Sequence, residues 1–166
     1  MKHETSRTRA DELIRELDLE PHPEGGHFRR HYAATATVEP ADGRGTRPAL
    51  TSIYYLLRPG EIGRWHRVRS DEAWHFYEGT PLELLMMPPD MTDVRQRRLG
   101  PPGVDTRPAA VVPVGWWQAA RPADGFALVG CSVGPGFDFA DFELLRDRPA
   151  EAAALRERHP DLAGLI

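Results

Sequence analysis

The chain has 166 residues, 40% hydrophobic and 28% charged, with a formal net charge of −4. That length suits one domain able to bury roughly two-thirds of its unfolded surface, and the mild acidity, with Lys2 the sole lysine and no long basic run, argues against nucleic-acid binding. No stretch approaches 18 consecutive apolar residues, the polar start has no leader-like apolar segment, and Cys131 stands alone, so a cytoplasmic protein with no membrane partner and no internal disulfide is expected.

The first predicted element is a helix over Arg9 to Leu17. Thr8 serves as N-cap with Asp11 three residues on, and Leu13, Ile14 and Leu17 share a face. Pro21 and Pro23 stop it, and Glu24-Gly25-Gly26 turns the chain into a strand ending near Tyr32. Residues 39–47, rich in Pro, Gly and Asp, read as a loop.

From Leu50 the pattern is one of short strands: 50–57, 61–68, 72–77, 82–87, 94–99, 109–112, 117–120, 126–133 and 139–145. Turn signals about every 8 to 12 residues favour an all-β sandwich or barrel over a parallel α/β sheet. Phe137 and Phe139 have one parity, Phe142 and Leu144 the other, which predicts a bulge near Ala140. A last helix covers Ala150 to Arg158. The division expected is a helical segment over 1–20, a β-barrel over 21–145 and a helical tail over 146–166, all one domain.

The segment from Gly60 to Gly79 carries the chemistry. Strand alternation puts Arg64, His66 and Val68 on one face, giving the interior a polar character, and Glu72 opens the next strand with Trp74 on its face. His75 has the opposite parity and reaches the interior only across a bulge. A histidine beside a carboxylate in a half-dry barrel can abstract a proton next to a carbonyl, with Tyr54, Tyr55 or Tyr77 returning it. The same His66 and Glu72, with Gln118 as a neutral oxygen donor, form a thin ligand set for a divalent Fe, Ni or Zn ion. Trp65, Trp74, Trp116 and Trp117 suit stacking on a sugar or planar ring, although some belong to the core. Cys131, in an apolar run, reads as a buried inert thiol.

Gly60, His66, Glu72 and Gly79 stand at the intervals of the first cupin motif, with Val68 in place of its second histidine. Pro113-Val-Gly115-Trp-Trp-Gln118 matches the second motif with Gln118 in place of its histidine. Together with Pro21-His-Pro-Glu-Gly-Gly26, His66–Tyr77 and Val129–Leu144, the chain resembles the cupin-5 family, also called DUF985, over nearly its whole length. The resemblance implies a double-stranded β-helix, a jelly-roll barrel flanked by short terminal helices, assembled as a homodimer and related to the RmlC-like deoxysugar-nucleotide epimerases. It carries over His22, Glu24, His66, Ser70, Asp71, Glu72, Trp74, His75, Asp138, Asp141 and Glu143 as the family's polar and aromatic motif positions.

Three functions are consistent with these residues. The first is an isomerase or epimerase on a carbonyl metabolite, such as a sugar nucleotide. Its catalytic residues are His66, Glu72, His75 and Tyr55, and its substrate contacts are His22, Glu24, Arg64, Trp74, Trp116 and Gln118. The second is a metal-dependent dioxygenase or lyase using His66, Glu72 and Gln118. The third is a non-catalytic module binding a small ligand. The arm from His22 to His31 is expected to lie across the pocket or a partner subunit.

Overall fold

Thr8 opens the first helix, α1 (Arg9–Glu16), with the anticipated capping box: its hydroxyl accepts from the Asp11 N–H and its own N–H donates to the Asp11 carboxylate. The computed structural model describes residues 8–166; residues 1–7, part of the polar start on which the expectation of no leader rests, lie outside the described residues.

Thirteen strands follow. The early ones are β1 (Glu20–Pro21), β2 (His27–Ala33), β3 (Thr37–Val38), β4 (Arg47–Pro48) and β5 (Thr51–Leu57). The central ones are β6 (Gly63–Val68), β7 (Asp71–Gly79), β8 (Leu82–Met87), β9 (Arg95–Leu99) and β10 (Ala109–Val112). The last are β11 (Trp117–Pro122), β12 (Ala127–Gly134) and β13 (Phe142–Leu144), before the tail helix α2 (Pro149–Arg158).

All strand pairs are antiparallel and build two facing sheets, ordered β1-β2-β5-β12-β7-β10 and β13-β6-β11-β8-β9; β3 and β4 form a separate ribbon beside the 39–47 loop. Turn spacing anticipated a sandwich or barrel, and these two sheets build the jelly-roll barrel that the family resemblance implied.

Three apolar clusters hold it together, one inside the barrel and two outside. Between the sheets, Trp74, Leu82, Leu84, Leu99, Val112 and Val129 fill one end of the lumen. On the outer face of the six-stranded sheet, Ala10 and Leu13 of α1 cover Leu56 and Leu128. On the outer face of the five-stranded sheet, Leu155, Leu162 and Leu165 of the tail cover Trp65, Met87 and Trp117. Trp65 and Trp117 are therefore core residues of the tail interface, and neither lines a ligand site. Among the described residues no helix is long and apolar enough to cross a membrane.

Two local predictions need correcting. The final strand does not run through 139–145 with a bulge. A 3-10 turn at Phe139–Asp141, capped by the Asp138 carboxylate on the Ala140 N–H, precedes the short strand β13. The turn resolves the parity conflict by letting Phe139 face solvent while Phe142 turns inward. The second correction concerns β6. Gly63 pairs with Ala120 and His66 with Gln118, so Arg64 and Trp65 together face Ala119 in a bulge. Parity shifts there, and Arg64 loses the inward position that strict alternation predicts for it.

Candidate active site

The end of the lumen away from Trp74 is open. Its cavity is narrow, about 480 Å³ counting the space open to solvent at its mouth. Inward positions of four strands supply most of the wall: Phe28 and Arg30 from β2, Thr51, Ile53 and Tyr55 from β5, His66 and Val68 from β6, and Cys131 and Val133 from β12. Glu72 is the second residue of β7, Phe137 and Phe142 close the mouth, and His22 and Glu24 enter from the turn between β1 and β2.

That turn is tightly built. His22 N–H donates to the Gly26 carbonyl and Gly25 N–H to the His22 carbonyl. Gly25 has φ +109°, and a Cβ there would stand 2.2 Å from the Ile62 carbonyl oxygen, so only glycine lets the turn dock on β6. The docking is completed by the Tyr55 hydroxyl, which donates to the Gly25 carbonyl at 2.8 Å, and by the Arg64 N–H, which donates to the Glu24 carbonyl at the bulge. The result places Glu24, 5% exposed, against the barrel wall.

There it meets His66. The His66 Nε2 lies 3.1 Å from Glu24 Oε2, and Nδ1 lies 2.7 Å from the Arg64 carbonyl. A carbonyl can only accept, so Nδ1 carries a proton and Nε2 is the atom turned to the carboxyl. Two lone pairs cannot face each other at that distance, so the contact holds a proton. Burial, opposed by the Arg64 carbonyl, holds the His66 imidazolium down to about 4, while burial and then the neighbouring Glu72 raise Glu24 well above the usual carboxylate range. The proton therefore rests on Glu24 and points at a neutral imidazole. His22 is held neutral too: burial, then His66, bring it down to about 3, and its Nδ1 accepts the Glu24 N–H at 3.2 Å.

Glu72 occupies the same wall but has other partners. Gln118 Nε2 donates to its Oε2 at 2.6 Å, and the Trp74 indole donates to Gln118 Oε1 at 2.8 Å. Burial pushes Glu72 up to about 7, against the stabilising donors Gln118 and Cys131. The Cys131 thiol, itself pushed upward by burial and by Glu72, is a wall residue beside a carboxyl and not merely core filling. Near neutral pH the cavity thus holds one carboxyl kept protonated and one that exchanges its proton readily.

The predicted site residues fare as follows. His22, Glu24, Tyr55, His66 and Glu72 come together around the cavity. The carboxylate orienting His66 is Glu24, not the Glu72 that the spacing suggested. Gln118 and Trp74 are buried behind Glu72 as a hydrogen-bonded support, out of the ligand's reach. His75, of opposite parity, is absent from the wall. Arg64 contributes through its backbone. Trp116 lies outside the cavity, its ring under the Arg95 guanidinium at 4.7 Å. Tyr54 stacks on His31 and Tyr77 is half exposed, neither lining the cavity. Sequence reading missed Phe28, Arg30, Phe137 and Phe142; the shared parity of Phe28 and Arg30 in β2 was their one legible signal.

The expected ion ligands do not assemble into a site. The Gln118 oxygen is taken by the Trp74 indole, Val68 supplies no donor, and among the described residues no three His, Cys, Asp or Glu side chains are grouped to hold an ion.

Comparison with known proteins gives the context. A crystal structure of a Shewanella oneidensis protein is 36% identical, with 96% of this chain and 95% of that one aligned at a TM-score of 0.80. A hypothetical protein from Leishmania major is 30% identical over 96% and 97% of the two chains, at a TM-score of 0.81. Oxalate decarboxylase from Bacillus subtilis, an enzyme with Mn(II) centres, is 15% identical and shares the fold over 90% of this chain but 37% of its own, at 0.59. No curated protein matches the chain. The family model described as cupin superfamily (DUF985) matches residues 11–145, and the chain belongs to that family.

Proposed function

We infer that this protein catalyses acid–base proton transfer on a small carbonyl compound, an isomerisation or epimerisation carried out in the barrel cavity. The observation that carries this reading is the 3.1 Å contact between His66 Nε2 and Glu24 Oε2, buried yet forming part of the cavity wall. A neutral imidazole whose Nδ1–H is anchored presents one basic nitrogen in a fixed direction. Once a water has carried the Glu24 proton to solvent, the pair is a base for a carbon-bound hydrogen. That proton moves to the pair as the C–H electrons form the C=C bond and the carbonyl oxygen takes the Glu72 proton, giving a neutral enol. In the return step an enol hydroxyl gives its proton back to Glu72. The pair's proton then goes to the neighbouring carbon, giving the isomer, or through a relaying water to the opposite face of the same carbon, giving the epimer. Tyr55, committed to the Gly25 carbonyl, holds the turn in place and is not the returning acid.

The test is incubation with small ketones and ketoses in deuterated water, following loss of the α-proton by NMR. Exchange is expected in the native protein and is expected to fall by about 10²-fold or more in His66→Gln and Glu24→Gln. Exchange that survives both substitutions would overturn the assignment.

A further inference from the structure

The charges around the cavity restrict what can enter it. Of the residues that line it, Arg30 is the one with a fixed positive charge. Arg30 is exposed at the mouth, where its Nη2 donates to the Phe137 carbonyl at 3.3 Å and its guanidinium lies 5.9 Å over the Phe137 ring. Deeper in, the polar groups are two carboxyls, Glu24 and Glu72, two imidazoles, a thiol and the hydroxyls of Thr51 and Tyr55. Neither imidazole is a fixed cation: His22 Nδ1 accepts the Glu24 N–H, and burial keeps His66 neutral although the Arg64 carbonyl at its Nδ1 opposes this. The remaining surface is hydrocarbon and aromatic: Phe28, Ile53, Val68, Val133, Phe137 and Phe142.

An anionic ligand brought into this space would lose its hydration and find no fixed cation inside to replace it, only two carboxyls whose ionisation its charge would oppose. A wholly apolar ligand would cut both carboxyls off from water and leave them only their wall contacts with His66 and Gln118. A protonated amine answers both needs. It offers up to three N–H donors to carboxyl oxygens, its charge is matched when one carboxyl ionises, and phenyl rings attract a cation brought near their faces. The mouth already displays that attraction in Arg30 over Phe137.

The geometry points to a ligand whose inward end is a protonated amine held between Glu24 and Glu72, with its carbon skeleton against the phenyl rings. This rests on the proton-transfer reading above and narrows it: the substrate class is a small carbonyl compound bearing an ammonium group, an amino ketone or amino sugar. Simple dicarboxylates, such as the substrate named for oxalate decarboxylase, find no fixed cation inside the cavity to hold them.

The probes are isobutylammonium, isobutanol and isobutyrate, near-isosteres that differ in charge, titrated at neutral pH into the full-length protein while the amide resonances of cavity residues are followed by NMR. Expected is ammonium binding at least about tenfold tighter than isobutanol, with shifts centred on Thr51, Val133 and Phe142, and no saturable binding of isobutyrate. Glu72→Gln is expected to weaken the ammonium about fivefold or more and leave isobutanol within about twofold. The native-protein series stands by itself if that variant fails to fold. Equal affinity for isobutanol, tighter isobutyrate binding, or ammonium shifts confined to other surfaces each overturn the inference. The two readings fail separately. Exchange of a neutral ketone without ammonium preference sinks this one alone, and ammonium preference without any exchange sinks the proton-transfer role alone.

Discussion

Gln118 illustrates how a single side chain can matter to a site without touching its ligand. It is fully buried, accepts from the Trp74 indole and donates to Glu72. Replacing it with leucine leaves an indole N–H unpaired and a carboxyl deprived of its donor, each at about 1–3 kcal/mol. Gln118→Leu is therefore expected to destabilise the protein by on the order of 3 kcal/mol in urea unfolding, and to move Glu72 further above its value of about 7. An unchanged midpoint would contradict this account. The residue itself was legible from the second motif; its role was not. The motif intervals located His66 and Glu72 correctly, but intervals along one chain segment carry no information about a turn more than forty positions earlier. Glu24 wins the His66 contact because Gly25 permits the turn and the β6 bulge receives it, both tertiary events.

At the scale of elements, the strands were readable because Gly and Pro punctuate them, and β8 and β10 fall where periodicity put them. What escaped was irregularity. A bulge at Arg64–Trp65 and a 3-10 turn before β13 each shift parity by a residue, and alternation alone cannot say where such a shift occurs. The tail helix was found from its pattern, but its purpose emerges only from packing: Leu155, fully buried, lies in the cluster with Trp65 and Trp117 on the back of the strands that carry His66 and Gln118. Leu155→Ala is expected to cost about 2–5 kcal/mol in a denaturant titration, because the cavity left behind collapses only partly. A loss below about 1 kcal/mol would show that the tail is dispensable to the sheet it covers.

For the molecule as a whole, the four buried titrating groups of the site set the pH dependence of folding. Between about pH 4.5 and 6.5 the unfolded chain carries its protons on the two histidines, whose ordinary value is 6.5, whereas the native state carries them on Glu24 and Glu72. The numbers bound are similar, so stability is flat there. Above that window the histidines are neutral in both states and only the native carboxyls still hold protons. The stability contributed by Glu72, on the order of 3 kcal/mol, is present below 4.5 and lost as pH rises to about 7, mostly inside the window where the histidines offset it, so the fall beyond the window comes chiefly from Glu24. Below the window the carboxyls are protonated in both states and the unfolded histidines bind protons that His66 resists until about 4 and His22 until about 3, so stability falls again. Denaturation midpoints measured from pH 3.5 to 8.5 should show a plateau with two declining flanks, the alkaline one carried chiefly by Glu24, and Glu72→Gln should tilt the plateau so that stability rises with pH across it. A single maximum near pH 8 would refute the burial of these carboxyls.

The hairpin at residues 20–28 brings its own consequence. It delivers half of the reactive pair on an edge element, while the barrel delivers the other half on a wall strand. The group facing His66 and the docking of its turn are carried by different atoms: the Glu24 side chain on one hand, Gly25, Gly26 and the Glu24 carbonyl on the other. An engineer who exchanges the Glu24 side chain alone rewrites what faces His66 and keeps the seat in which the turn rests.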